Sequence, residues 1–285
     1  MDVAPTSLPI RAPNETPQTS QDSQLFPCRS SPDNDLILPD IGWDDTKMII
    51  AGGSSGRVEL LPSGFALKAP YPNPLLKDDN LADIAVEFEI YQILGTHPRL
   101  VRVIDYAPDV GLTLEYLPRG NLRAHLLANQ ARIDQEQRMQ WIMDVLDSVE
   151  LLHSHNVVHG DIKAENFLID AEGRLRIIDF SGSGLPERPG TAWEGIRHFK
   201  PRGENEHSTK RTDIFAVGST LYEIVTGAQP FAELSDSEVE VEYRQGNFPV
   251  TAGLVCGQVI WRCWTGDVES IDHIREAVLR NGPAL

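Results

Sequence analysis

Cysteine is scarce in this chain of 285 residues. There are three, Cys28, Cys256 and Cys263, and none sits in a CxxC pair. An odd, sparse set argues against a disulfide framework and for reduced thiols. Cys256 and Cys263 either pair across one helix face or, the preferred reading, stay as two buried thiols. Basic residues are also few: 25 Lys and Arg stand against 42 Asp and Glu, a formal charge of -17. That balance makes nucleic acid and anionic membrane poor partners for the surface as a whole. It leaves basic substrates open, alongside the plainer reading that acidity maintains solubility. Long apolar runs are missing, so nothing approaches the ~20 residues that cross a bilayer. The opening MDVAPTSLPIRAPN has no apolar stretch of a secretory signal, which sets a cytoplasmic location as the expectation and a nuclear one as its alternative. A monomer is the default.

What is present is a hydrophobic content of 41%, enough for one large core or two small lobes. Residues 1–45 are rich in Pro, Ser, Thr and Asp and carry no hydrophobic period, so they are expected to form a disordered arm. Its apolar patch, LILPDIGW (Leu36 to Trp43), is a candidate for docking on the folded body. From about Lys47, MIIAGGSSGRVELLPSGFALKAP reads as strand, glycine turn, strand, Pro-Ser-Gly turn, strand. In DDNLADIAVEFEIYQIL, residues Leu81, Ile84, Ala85, Phe88 and Tyr91 fall at helical spacing, with Asp79 or Asn80 as the expected N-cap. RLVRVIDYAP and VGLTLEYLP add two strands. Five strands and one helix make a small β-rich lobe. After Gly120 the character turns helical. Met139, Ile142, Val145, Leu146, Val149 and Leu152 mark a long amphipathic helix, and Asp213 to Thr226 is apolar on nearly all sides, as in a buried central helix. GLVCGQVIWRCW and ESIDHIREAVL supply two more. There are no internal repeats.

The chemistry gathers in a few places. HGDIKAENFLID, residues 159–170, contains HxDxxxxN. An Asp at such a loop tip can orient and deprotonate an attacking hydroxyl, and an Asn five residues on can turn back onto a magnesium ion. Asp161 and Asn166 have that spacing, and Lys163 can reach a transferred phosphoryl group. IIDFSGSG then delivers Asp179 at a strand end, a second carboxylate for the metal. Upstream, Gly52, Gly53 and Gly56 lie between two strands, where glycine lets backbone N–H groups approach phosphates. Lys68 stands on the third strand and Glu87 on the helix that follows. Singly, each has a bland reading: a hairpin turn, a solvated lysine, a strand terminus. Their order along the chain is much harder to reach by chance.

In that order — glycine loop, strand Lys, helix Glu, strand Glu115, HxDxKxxN, DFx, DIFAVGSTLYEIVTG — the sequence resembles the eukaryotic protein kinase family over about residues 47–280. The resemblance implies an α+β, two-lobed fold: a kinase domain over 46–283, with a five-stranded antiparallel N-lobe (46–117) and a mainly helical C-lobe (118–283). It implies ATP and Mg²⁺, or Mn²⁺, as cofactors and a protein substrate phosphorylated on Ser or Thr. Asp161 becomes the catalytic base and Lys163 the phosphate-stabilising lysine. Asn166 and Asp179 become the metal ligands. Lys68 becomes the ATP-phosphate lysine, with Glu87 as its partner and Glu89 as the alternative. Leu114 falls at the gatekeeper, Glu115 and Leu117 in the hinge, and Ala51, Gly53, Gly56, Val58 and Ala66 complete the nucleotide contacts. His159 is expected under Phe180, with Tyr91 and Val103 continuing the stack, in preference to a metal cluster with His153 and His155. Asp213 is expected to anchor the catalytic loop.

This chain departs from the family pattern in several ways. Ala51 replaces the leading glycine of the loop. Gly160 replaces the Arg that usually binds a phosphorylated activation loop, which implies activation without that phosphate. Ser181 replaces the glycine of DFG. KPR (Lys200 to Arg202) stands where APE is expected, and Ser270 where that Glu finds its Arg, so both halves of one ion pair are absent together. Gly195 stands where a Thr often lines the substrate hydroxyl. Two other functions share these residues: a pseudokinase-type binding module, and a small-molecule phosphotransferase of the aminoglycoside or choline kinase kind. The Lys of HGDIKAEN and the DIFAVGSTLYEIVTG helix favour a Ser/Thr protein kinase.

Overall fold

The computed structural model describes residues 48–281. The arm, its LILPDIGW patch and Cys28 lie outside them. Five antiparallel strands form the first lobe: β1 (Met48–Gly53), β2 (Gly56–Leu60), β3 (Ala66–Ala69), β4 (Val103–Ala107) and β5 (Gly111–Leu114), in the spatial order β1-β2-β3-β5-β4. The turn between β2 and β3 closes with the Leu61 N–H on the Phe65 carbonyl at 2.8 Å, and Gly64 takes the left-handed φ of 83° there. Helix α1 (Pro74–Leu94) crosses this sheet.

The start of α1 differs from expectation. Its N-cap is Asn73, whose side chain accepts from the Leu75 N–H at 3.0 Å, with Pro74 opening the helix. Asn followed by Pro is a complete start signal, since the Asn oxygen satisfies a free N–H and the proline lacks one. Asn80 sits inside the helix instead. It is buried, donates to the Ser54 carbonyl at 3.1 Å and accepts from the Tyr71 N–H at 3.2 Å. An apolar-period reading misses this because Asn80 ties the helix to the glycine turn and does not begin it.

The second lobe is helical: α2 (Leu122–Asn129), α3 (Gln135–Ser154), α4 (Lys210–Thr226), α5 (Asp236–Arg244), α6 (Gly257–Thr265) and α7 (Ile271–Asn281). A short hairpin of β6 (Phe167–Ile169) and β7 (Leu175–Ile177) sits between α3 and the long connection to α4. In α3, Met139, Ile142, Val145, Leu146, Val149 and Leu152 are all buried at i, i+3, i+4 spacing. Each contributes about 1.5–3 kcal/mol by leaving water. Helix α4 is buried on nearly every side and packs against α3 and α6. Gly218 allows the α6 approach, because a Cβ there would stand 2.7 Å from the Cys263 Cβ. Cys256 and Cys263 are both buried and unbridged, and burial pushes their thiols up to about 11 and about 12. Trp264 stacks on Phe248 at 5.5 Å, and Trp261 meets the same ring edge-on at 5.7 Å.

Asp144 on α3, fully buried, is the polar centre beneath β7. Its carboxylate accepts from Arg99 at 2.7 Å, from Arg174 at 2.5 Å and from the Leu175 N–H at 2.9 Å. With Gln140 Nε2 donating to the same carboxylate at 3.1 Å, four donor groups offset its desolvation. No described helix is long and apolar enough to cross a membrane.

Candidate active site

Strand register builds the roof of the cleft. Ala51 pairs with Val58, Val58 with Lys68, and Lys68 with Leu112, while Ala66 pairs with Leu114. Directly opposed residues share a sheet face, and so do residues two apart on one strand. Ala51, Val58, Lys68, Ala66 and Leu114 therefore lie on one face, and the reach of Lys68 identifies it as the face over the cleft. The glycine turn follows from Gly53 pairing with Gly56. Gly56 must be glycine, because at φ 134° a Cβ would lie 2.4 Å from the Ala69 carbonyl oxygen. Gly53 has open space around it.

Lys68 Nζ lies 2.6 Å from Glu87 Oε2 and 2.7 Å from Asp179 Oδ1. Burial opposes the charge on Lys68, but the two carboxylates outweigh it and raise its pKa. The Lys68 ammonium in turn holds the Asp179 carboxyl down at about 2. Glu89, two residues along α1, points elsewhere and pairs with Arg188 at 2.8 Å. Helical rotation sends residues two apart to nearly opposite sides, so only one of the two glutamates can face β3. Asp179 ends the segment after β7 at a left-handed φ of 71°, a conformation a non-glycine residue holds only where its surroundings impose it.

Below, the loop of residues 159–166 is tied down from three sides. Asp213, in the first turn of α4, accepts the His159 N–H and the Gly160 N–H, each at 2.9 Å, and also meets His153 Nε2 at 2.9 Å. His159 lies 5.5 Å edge-on from Phe180, and Tyr91 meets the same ring edge-on at 5.0 Å. Val103 packs against the same core. His159 Nε2–H donates to the Ile178 carbonyl at 3.1 Å, and its Nδ1 accepts the Asp161 N–H at 3.2 Å. One imidazole thus joins the loop to the strand end that carries Asp179. The three histidines go separate ways, since His155 turns to the Leu151 carbonyl at 2.9 Å.

Asp161 Oδ2 receives Lys163 at 2.7 Å and Asn166 Nδ2 at 3.2 Å. Asp161 Oδ1 is buried and has no hydrogen-bond partner among the described residues. Burial works against the Lys163 charge, but the neighbouring Asp161 raises its pKa overall. Asn166 Nδ2 also donates to the Asp161 carbonyl at 2.8 Å, which leaves the Asn166 amide oxygen for another ligand. The Asn166 carbonyl accepts the Ile178 N–H at 3.0 Å, so Asn166 and Asp179 are brought close by paired backbone. An amide oxygen and a carboxylate are hard donors, the set that suits Mg²⁺ or Mn²⁺. At the hinge, the Glu115 N–H is taken by the Arg102 carbonyl at 2.9 Å, and its side chain turns to Arg176 at 3.0 Å. Leu117 keeps its N–H without a partner among the described residues.

A profile of the Protein kinase domain matches residues 53–264. The chain belongs to the protein kinase family. This kinase is 30% identical over 190 residues to "Aurora/IPL1-related protein kinase 2" of Caenorhabditis briggsae, a match covering 64% of this chain and 62% of that one. It is 31% identical over 180 residues to "Aurora kinase B" of Danio rerio, covering 61% and 56%. To "Mitogen-activated protein kinase kinase kinase 17" of Arabidopsis thaliana it is 33% identical over 155 residues, covering 51% and 40%. The kinase therefore spans less than two thirds of the length of these relatives.

Two features of this kinase were not foreseen. Ser181 enters the lysine cluster, with its Oγ 2.6 Å from Lys68 Nζ and 2.8 Å from Glu87 Oε2. The segment after Phe180 holds an ion pair of its own: Arg202 meets Glu194 at 2.7 Å, both buried, and its guanidinium lies 4.4 Å from the Phe199 ring centre and 5.0 Å from that of Trp193. KPR lacks the APE glutamate, but its arginine anchors the same segment locally.

Proposed function

We infer that this chain is an ATP-dependent protein kinase that transfers the γ-phosphoryl group to Ser or Thr hydroxyls. The observation that carries the reading is the free, buried Oδ1 of Asp161, beside Lys163 and within the cleft where Lys68, Glu87 and Asp179 are already joined. Asp161 Oδ1 accepts the substrate hydroxyl and takes its proton as the oxygen bonds to the γ-phosphorus, while the bond from that phosphorus to the β,γ-bridging oxygen breaks and ADP leaves with its electron pair. Lys163 neutralises charge on the phosphoryl group in flight. Lys68 holds the α- and β-phosphates, with Glu87 fixing its direction. The face of Ala51, Val58, Ala66 and Leu114 covers adenine, and the free Leu117 N–H meets its edge. Asn166 and Asp179 would hold Mg²⁺, or Mn²⁺, which supplies charge neutralisation across the phosphates when bound. Catalysis of this kind is positioning and charge complementarity.

Recognition of a basic protein substrate is supported beside the loop. Glu165 and Glu223 flank Arg123, at 3.1 Å and 2.7 Å, and each keeps one buried oxygen without a hydrogen-bond partner among the described residues.

Label transfer from γ-labelled ATP with Mg²⁺ or Mn²⁺ tests the reading. The full chain is offered itself, basic and acidic generic proteins, and a panel of small hydroxyl compounds. Label on protein, lost in Asp161→Asn and Asp179→Ala, is the expected result. Label on small molecules alone would overturn it in favour of a small-molecule phosphotransferase. ATP binding without any transfer would point to a binding module.

A further inference from the structure

Ser181 stands directly after the Asp-Phe pair, where its hydroxyl meets two of the groups the proposed chemistry needs. It is 5% exposed, so bulk water does not compete for its bonds. Its Oγ accepts from Lys68 Nζ at 2.6 Å and donates its single proton to Glu87 Oε2 at 2.8 Å. The Asp179 Oδ1 lies further away, at 3.5 Å. The hydroxyl therefore closes a ring: Lys68 to Glu87, Glu87 to Ser181, Ser181 back to Lys68. Three chain segments meet in that ring, namely β3, α1 and the strand end after β7. A hydroxyl suits this place because it accepts from a cation and donates to an anion at once; glycine and alanine can do neither.

We propose that Ser181 is a positioning residue that latches α1 onto β3, keeping Lys68 and Glu87 assembled while Asp179 faces the cleft. Without the hydroxyl, Lys68 is the one hydrogen-bond partner left to the Glu87 carboxylate among the described residues. Lys68 must also serve the nucleotide phosphates, so when it turns to them its grip on Glu87 weakens. Ser181 bridges the two through that exchange. It does so from within the cleft, with no added group on the segment between Phe180 and α4. Nearby packing agrees. Gly160, at φ 77°, has Ala192 Cβ and Ser208 Oγ each 3.3 Å from where a Cβ would lie, so that segment rests directly on the catalytic loop. Arg188 also ties it to α1 through Glu89 at 2.8 Å.

The proposal rests on the kinase reading above, so its test has one arm that needs no activity. Ser181→Ala, Ser181→Gly and Ser181→Thr are made in the full chain. Hydrogen exchange is followed in α1 peptides covering residues 84–94, and phosphoryl transfer is measured against ATP concentration. In Ser181→Ala we expect α1 exchange to quicken roughly tenfold and kcat/KM for ATP to fall about tenfold, the scale of one hydrogen bond to a charged group. Its thermal midpoint should fall by no more than about 3–6 °C. Ser181→Gly should match Ser181→Ala, and Ser181→Thr, which keeps the hydroxyl, should restore both readouts. Unchanged α1 exchange in Ser181→Ala and Ser181→Gly would overturn the latch. An active wild type with equally active Ser181→Ala would overturn it too, while leaving the kinase reading intact. An inactive wild type would defeat that reading instead, and α1 exchange alone would then judge the latch.

Discussion

Asp213 accepts the backbone N–H groups of His159 and Gly160 at 2.9 Å each, so one buried carboxylate on α4 fixes the loop that carries Asp161. We predict that Asp213→Asn destabilises the protein by about 2–4 kcal/mol, because an amide offers a single acceptor and its NH₂ faces a backbone donor. Phosphoryl transfer should fall with it, more steeply than the loss of folded protein explains. Chemical denaturation beside transfer assays checks this. Wild-type stability in the variant would mean that the loop is held by other contacts.

Gly160 adopts φ 77°, where an L side chain is strained. Gly160→Ala is expected to cost about 1–2 kcal/mol from backbone strain alone, with more if Ala192 and Ser208 cannot yield. Gly160→Arg should cost at least as much. A thermal midpoint for Gly160→Ala equal to wild type would contradict the strain argument.

Burial pushes the Glu223 carboxyl up to about 7, against the pull of Arg123. Its folded-state pKa therefore lies above its ordinary 4.5. The folded protein keeps a proton that the unfolded chain releases, so stability falls as pH rises from about 4.5 towards 7 and levels off above. Glu223→Gln should flatten that part of the profile and leave the variant about 1–3 kcal/mol more favoured relative to wild type at pH 8 than at pH 4. Parallel stability curves for the two proteins across this range would show that Glu223 titrates normally.

The Glu194–Arg202 pair is buried on both sides. We predict that Arg202→Ala costs about 3–5 kcal/mol, since it strands the Glu194 charge. Arg202→Lys should recover only part of this, because an ammonium does not stack flat against Phe199 and Trp193. Combining Arg202→Met with Glu194→Leu should be milder than Arg202→Ala alone. Strictly additive effects in that cycle would mean the two side chains do not interact.

Much of this was legible in the chain because kinase chemistry depends on local spacing. Asp161, Lys163 and Asn166 sit within one loop, and a loop's own length brings them together. Lys68 and Glu87 were readable because a strand and the next helix have fixed periods, although Glu89 could be set aside only once Arg188 was seen to hold it. Contacts that depend on how distant segments fold back were not legible. Ser181 read as a substituted glycine, with nothing to show that its hydroxyl would reach Lys68, more than 100 residues earlier in the chain. Nothing in the helical period of α3 marks out Asp144, yet it collects arginines from two other segments. Arg202 read as part of a degraded motif because its partner lies within its own loop. Helices α2 and α5 escaped because they are short and only partly buried, with Leu122 and Leu126 the buried residues of α2 and Val239 and Tyr243 those of α5.

The aromatic packing around Phe248 has a spectroscopic consequence. Trp141, Trp193, Trp261 and Trp264 all lie beyond the hinge, and the β-sheet lobe has no tryptophan among its described residues. In a Trp43→Phe background, indole emission would therefore monitor melting of the helical half alone, while far-UV circular dichroism monitors both halves. Any gap between the two transitions would measure how independently the β-sheet roof comes apart from the floor beneath it.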